Sequence, residues 1–253
     1  LAGASDVAIS ADGSKVFVTS HDDKALLTFT RNPVTGDLGG TPTIDYYAGF
    51  DAHDTVAVND AGTRVYSGGA NYVFANHLDD AATPDFNSVA AIGGGSELAV
   101  SRDGTLVYAS TQGGDALVVF SADLSSRTVI DTAGLGLHGI SGLAVSADDR
   151  HVYAALAGSD QVAVFERSGT TLTLVSTVNN NVDGVRGIDG ATALVFSADN
   201  RYLFVTGNAE NAVAVFERDA ADGSLHFLQV VRNGVGGVAG LLRPATVTSD
   251  AHG

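Results

Sequence analysis

With 253 residues, 45% of them apolar, the chain is long enough for one large all-β domain or two ordinary ones. A formal charge of −16 argues against nucleic acid as a partner, because a phosphate backbone demands a basic face. No apolar run reaches the length of a membrane-spanning helix, and the absence of cysteine removes disulfides and thiolate metal sites.

The first element in the chain is VAISADGSKVFVT, residues 7–19, two apolar runs around a polar bend. The bend returns as NDAG at Ser-equivalent Asn59, SRDG at Ser101, SADD at Ser146 and SADN at Ser197. It starts once more as SDAHG at Ser249, the intervals being 49, 42, 45, 51 and 52 residues. The fourth position of the turn is Gly13, Gly62, Gly104, Asp149 and Asn200, residue types that tolerate a positive φ. A short strand follows each turn (VFVT, VYSG, VYAS, VYAA, LFVT), with an aromatic second residue: Phe17, Tyr66, Tyr108, Tyr153 and Phe204. Twelve residues further on stand Phe29, Phe120, Phe165 and Phe216, in apolar runs that read as half-buried strands. The second repeat, GGANYVFANHL, diverges here and its register is open. A fourth strand reads from TLTLVSTV at Thr171 and SLHFLQVV at Ser224. The 25 Asp against 4 Glu suit a chain rich in turns, where Asp bonds its own backbone; a salt-adapted, marine or extracellular setting is a second contributor.

Each unit is thus a four-stranded antiparallel meander of about 45–50 residues, the size of one propeller blade. The fold expected is an all-β propeller with five complete repeats, at about 1–48, 49–93, 94–139, 140–187 and 188–240. LLRPATVTS, within 241–253, reads as the inner strand of a sixth. VAISADGSKVFVTS resembles the YVTN-type repeat of bacterial and archaeal surface-protein propellers and of the seven-bladed lactonase-like family. The segment GVRGIDGATALVFSADNRYLFVTGNAENAVAVFERDAADGSLHFLQVV is the closest match. A five-bladed ring has no slot for that extra strand, so a parent of six or seven blades is expected, with the ring closed by sequence outside these residues or by a second chain. The chain contains no Met and starts at Leu1. It is therefore expected to be processed or excised from a longer precursor, at the cell surface or outside the cell.

In such a ring the first strand of each blade lines the channel, and the loops entering it lie on the usual ligand face. Those loops carry His53, Asp54, Glu97, His138, Asp183, Arg186, Asp189 and Arg243. Glu97, His138 and Arg186 are the catalytic candidates, for a general base beside a carboxylate-binding cation. Asp6, His53, Asp54 and Arg243 are ligand-binding candidates. Asp6 and Glu97 hold equivalent positions, four before Ser10 and Ser101, where the other repeats have Thr55, Gly142 and Ala193. No metal site is assigned and no cofactor is expected, although two channel carboxylates could bind a divalent cation. Two functions compete. The preferred one is a non-enzymatic extracellular or surface scaffold with a protein or carbohydrate partner. The alternative is a lactonase-like enzyme that hydrolyses or closes a lactone ring.

Overall fold

The structure is a computed structural model that describes residues 2–46, 53–69, 71–77, 89–90, 97–111 and 113–249. Among the described residues, twenty strands form five four-stranded antiparallel sheets, each in simple sequence order. The first sheet is β1 (Ala4–Ile9), β2 (Lys15–Ser20), β3 (Ala25–Arg31) and β4 (Leu38–Tyr46). The second is β5 (His53–Val58), β6 (Arg64–Gly69), β7 (Tyr72–His77) and β8 (Val89–Ala90). The third is β9 (Leu98–Val100), β10 (Leu106–Ser110), β11 (Ala116–Ser121) and β12 (Arg127–Asp131). The fourth is β13 (Ile140–Val145), β14 (His151–Leu156), β15 (Gln161–Ser168) and β16 (Thr171–Asn179). The fifth is β17 (Ala191–Phe196), β18 (Tyr202–Gly207), β19 (Ala212–Arg218) and β20 (Leu225–Arg232). These are propeller blades. The uncertain second repeat pairs regularly, with Tyr66 opposite Ala75. Among the described residues the only helical element is a single 3-10 turn, Ala133–Leu135, and no helix is long and apolar enough to cross a membrane.

The chain forms two compact units. The first, Leu1–Gln112 with Leu117–Val129, holds the first two sheets and most of the third. The second, Gly113–Ala116 with Ile130–Gly253, holds the last two and the ends of β11 and β12.

The repeated turn owes its shape to local chemistry. Gly13, Gly62, Gly104, Asp149 and Asn200 all have positive φ, between 57° and 68°. In each case the fourth residue's N–H donates to the first residue's carbonyl. The Ser hydroxyl donates to the Asp two residues on, at 2.6 Å for Ser10–Asp12 and Ser146–Asp148 and 2.7 Å for Ser101–Asp103. The same hydroxyl accepts the N–H five residues on, as Lys15 and Leu106 do at 2.9 Å. The Asp then accepts the next free N–H, Ser14 to Asp12 at 3.0 Å. A longer side chain would overshoot these local donors, which is why the acidity is Asp and not Glu. Hydrogen bonds from Ser10 and Ser14 hold Asp12 down to about 2.

Burial between neighbouring sheets follows the aromatic pattern. Val16 pairs with Phe29, and Phe17 with Thr28, so the two aromatics of one blade face opposite sides. Phe17 packs with Val56, Val65 and Phe74 of the second sheet; Tyr66 packs with Val107 and Phe120 of the third. In the second unit Tyr153 packs with Phe196, Leu203 and Phe216, its ring edge-on to Phe196 at 5.0 Å. Each such ring, removed from water, contributes about 2–3 kcal/mol. The tyrosines add a bond that phenylalanine cannot make. The Tyr66 hydroxyl donates to the Ala122 carbonyl at 2.9 Å and the Tyr153 hydroxyl to the Gly223 carbonyl at 2.7 Å, each reaching the next sheet's outer turn.

Four of the five innermost strands share one irregularity among the described residues. A bulge shifts the register between Ala4 and Asp6, His53 and Thr55, Ile140 and Gly142, and Ala191 and Ala193. Bulges re-aim side chains, and here the bulged residues reach towards the neighbouring innermost strand. Ser141 donates to the Ala191 carbonyl and Thr192 to the Pro244 carbonyl at 3.0 Å. The inner strand of a sixth repeat, expected within 241–253, does not form among the described residues. The segment 241–249 has no strand ladder; it lies beside β17, held by that Thr192 bond and by Ser249 to the Phe196 carbonyl at 2.7 Å. Arg243 at φ 47° and the following Pro244, which has no N–H to donate, prevent a regular ladder.

Candidate functional site

Equivalent positions at or near the start of the innermost strands carry the chemistry of the first unit. Asp6 in β1, Thr55 in β5 and Glu97 at the entry to β9 stand on innermost strands that pack side by side. The Asp6 carboxylate accepts the N–H of Val7 at 2.8 Å, the N–H of Val56 at 2.9 Å and the Thr55 hydroxyl at 3.2 Å. It ties β1 to β5 and pins a negative charge there. Glu97 is treated differently. It is half-buried, and its side chain makes no hydrogen bond or ion pair with any described residue. Burial, and then the charge of Asp6, push its carboxyl up to about 8. At neutral pH it is mostly the protonated acid. At Gly142 in the second unit the same position is blocked. A Cβ on Gly142 would come 2.9 Å from the Thr192 carbonyl and 3.1 Å from the Ala193 Cα, so strand packing leaves no room for a functional side chain.

The remaining candidates serve mostly as fasteners. The loop between the second and third strands of one sheet grips the chain entering the next innermost strand. His21 Nδ1 lies 2.6 Å from Asp54, which raises the imidazole above its ordinary value. His138 Nδ1 lies 3.1 Å from Asp115. Asp160 accepts the Gly190 N–H at 2.8 Å, and Asn211 accepts the Arg243 N–H at 2.8 Å. The Arg243 guanidinium also donates to Asn208 at 3.3 Å. Asp54, His138 and Arg243 are therefore accounted for by this recurring latch. Arg186 is exposed, its Nε donating to the Gly184 carbonyl of its own loop at 3.4 Å. Asp183 is exposed at φ 50°; Asp189 is half-buried, raised by burial and by Asp160 and Glu210. His53 begins β5, but its side chain lies outside the described residues. The structure brings Asp6, Thr55 and Glu97 together. Glu97 belongs to the first unit, whereas His138 and Arg186 belong to the second. Sequence reasoning missed His21 and Asp115 as partners; their signal was a charged residue in HDDK and QGGD, loops on the same end of the sheets as the candidates.

Among the described residues no group of three or more His, Cys, Asp or Glu is placed to hold a metal ion. A cleft of 530 Å³ lies at the opposite end of the first two sheets, lined by Ser10, Asp12, Lys15 and Asp60. Another of 390 Å³ runs between β16 and β20, past Asp183 and His226. Neither contains Glu97. The cleft at Asp12 is built from turn residues whose polar groups are already engaged, so the inner-strand row is the better chemical site.

A family model described as a lactonase, 7-bladed β-propeller, matches residues 76–188 and 124–239, together more than half of the chain. The chain belongs to this lactonase family. Among solved structures, it is similar to a candidate 6-phosphogluconolactonase from Bacteroides fragilis at 19% identity and TM-score 0.72, over 98% of this chain and 74% of that one. A periplasmic gluconolactonase from Pseudomonas aeruginosa matches at 20% identity and TM-score 0.71, over 90% and 72%. The Cps50 (Swd1) propeller of Myceliophteria thermophila matches at 11% and 0.72, over 93% and 74%. Such distant likenesses show the fold alone. No curated protein matches the chain. Membership of the lactonase family favours the enzymatic alternative over the scaffold preferred from the sequence. That preference rested on the YVTN-like repeat, the acidic composition and the lack of a convergent catalytic set in the sequence, and the repeated residues specify blades rather than activity.

Proposed function

We propose that this lactonase-family chain hydrolyses the ring ester of a sugar-acid lactone, with Glu97 as the proton-transfer residue. Water adds to the lactone carbonyl, the ring C–O bond breaks, and the departing ring oxygen takes the proton of Glu97. One proton of the attacking water stays on the new carboxylic acid and the other returns to the glutamate, so that one lactone and one water give one hydroxy acid. The observation that carries the reading is Glu97 itself. A half-buried carboxyl without a hydrogen-bond partner among the described residues, held protonated to about pH 8, has no structural task. Asp6, Thr55 and the loop fasteners all do. A periplasmic or extracellular site of action fits the relative from Pseudomonas aeruginosa, whose own description is periplasmic.

The test is δ-gluconolactone hydrolysis followed with a pH indicator against the spontaneous rate. The wild-type chain should exceed background and lose rate as pH rises through about 8, and Glu97→Gln should return it to background with an unchanged circular dichroism spectrum. Background turnover by the wild type, or full turnover by Glu97→Gln, overturns the reading.

A further inference from the structure

The innermost strands carry charge of one sign. In the first unit their sequences are ASDVAI in β1, HDTVAV in β5 and LAV in β9, without a single Lys or Arg. In the first unit the fixed charge on this row is Asp6, held by the N–H groups of Val7 and Val56 and by Thr55, next to the partnerless Glu97. A phosphate monoester carries nearly two negative charges at neutral pH and is recognised by Arg, Lys or the N-terminus of a helix. None of these stands on these innermost strands, and the one short 3-10 turn among the described residues supplies no helix N-terminus of useful length. The hydroxyls of a neutral sugar lactone, in contrast, match a row of carboxyl and hydroxyl groups that accept and donate hydrogen bonds.

We propose that the site selects an unphosphorylated, neutral lactone, and that Asp6 is the specificity-determining residue that turns away the phosphorylated one. This inference rests on the lactonase reading and adds the substrate class to it. A pinned carboxylate within about 8 Å of a ligand charge, at the effective dielectric of a partly buried site, disfavours that charge on the order of tenfold.

The experiment compares kcat/KM for δ-gluconolactone and 6-phospho-δ-gluconolactone with the full chain at pH 7 and low salt. The neutral lactone should be favoured at least tenfold. Asp6→Asn should shrink that ratio severalfold or more. Because Asp6 also clips β1 to β5, the same ratio is measured for the wild type at 0.5 M salt, where screening should shrink it without any substitution. Equal or better turnover of the phosphorylated lactone overturns the inference and leaves the lactonase reading standing. So does a ratio that moves neither with Asp6→Asn nor with salt. Turnover of neither lactone sinks the lactonase reading, and this inference with it.

Discussion

Replacing Glu97 by Gln should make the protein more stable in alkali and change little in acid. The side chain ionises at 4.5 when free but at about 8 in the folded chain. Between those two values the folded state holds a proton that the unfolded state has released. Stability is therefore highest below about pH 4.5, falls as pH rises through the window and levels off above about 8. At 1.36 kcal/mol per pH unit, the penalty on the ionised form is at most about 5 kcal/mol. Glu97 keeps some solvent contact, so about 2–4 kcal/mol is the working expectation. Urea unfolding of wild type and Glu97→Gln at pH 5, 7 and 9 reads the difference, which should open with pH. The ionisation itself can be followed directly. The chain has only four glutamates, Glu97, Glu166, Glu210 and Glu217, so carboxyl 13C labelling of glutamate gives four titration curves. One should have its midpoint near 8 and vanish in Glu97→Gln. Four curves centred near 4.5, or stability profiles that stay parallel from pH 5 to 9, would refute the assignment of a desolvated carboxyl beside Asp6.

Gly13→Val places a β-branched residue at φ 68°, with its Cβ 3.3 Å from the Arg31 guanidinium. It should cost about 1–2 kcal/mol, read from the melting curve, and an unchanged midpoint would count against the left-handed turn. Tyr153→Phe removes the hydroxyl that donates to Gly223 and accepts Arg218 Nε at 2.9 Å. With Arg218 buried, the loss should be about 1–3 kcal/mol; a neutral outcome would show that water takes over both bonds. His151 is buried and accepts from Arg218 at 3.2 Å; burial, and then the Arg218 charge, lower its pKa below 6.5. The unfolded chain then binds the proton first, so this part of the stability is present above pH 6.5 and lost as pH falls below it. His151→Gln should flatten the midpoint between pH 7.5 and 5, and an identical slope in both proteins would dismiss the coupling.

The blades were legible in the sequence because what builds them is local. A Ser, an Asp two residues on and a residue that accepts positive φ close a turn through their own backbone bonds, whatever surrounds them. The aromatic second residue of each repeat, Phe17, Tyr66, Tyr108 and Tyr153, likewise marks a buried strand, and in β10 and β14 the residues on both faces are buried. The same local signals misled at residues 241–249, where an apolar run after a glycine-rich loop reads as a strand. Arg243 at positive φ, the following proline and the lack of a paired partner leave that run without a ladder. The site was legible only as a roll of charged residues. Asp54, His138 and Arg243 look like free ligands until the tertiary structure sets His21, Asp115 and Asn211 against them across 23 to 33 residues of chain. Asp6 and Glu97 are equivalent carboxyl-bearing positions in the repeat. Only packing separates them, because it brings two N–H groups and a hydroxyl to Asp6 and leaves Glu97 desolvated with Asp6 beside it. Hydrogen bonds between neighbours in sequence are written in the sequence. The proton affinity of a carboxyl is set by what lies around it in space, and for Glu97 that includes a charge placed there by a strand some ninety residues earlier.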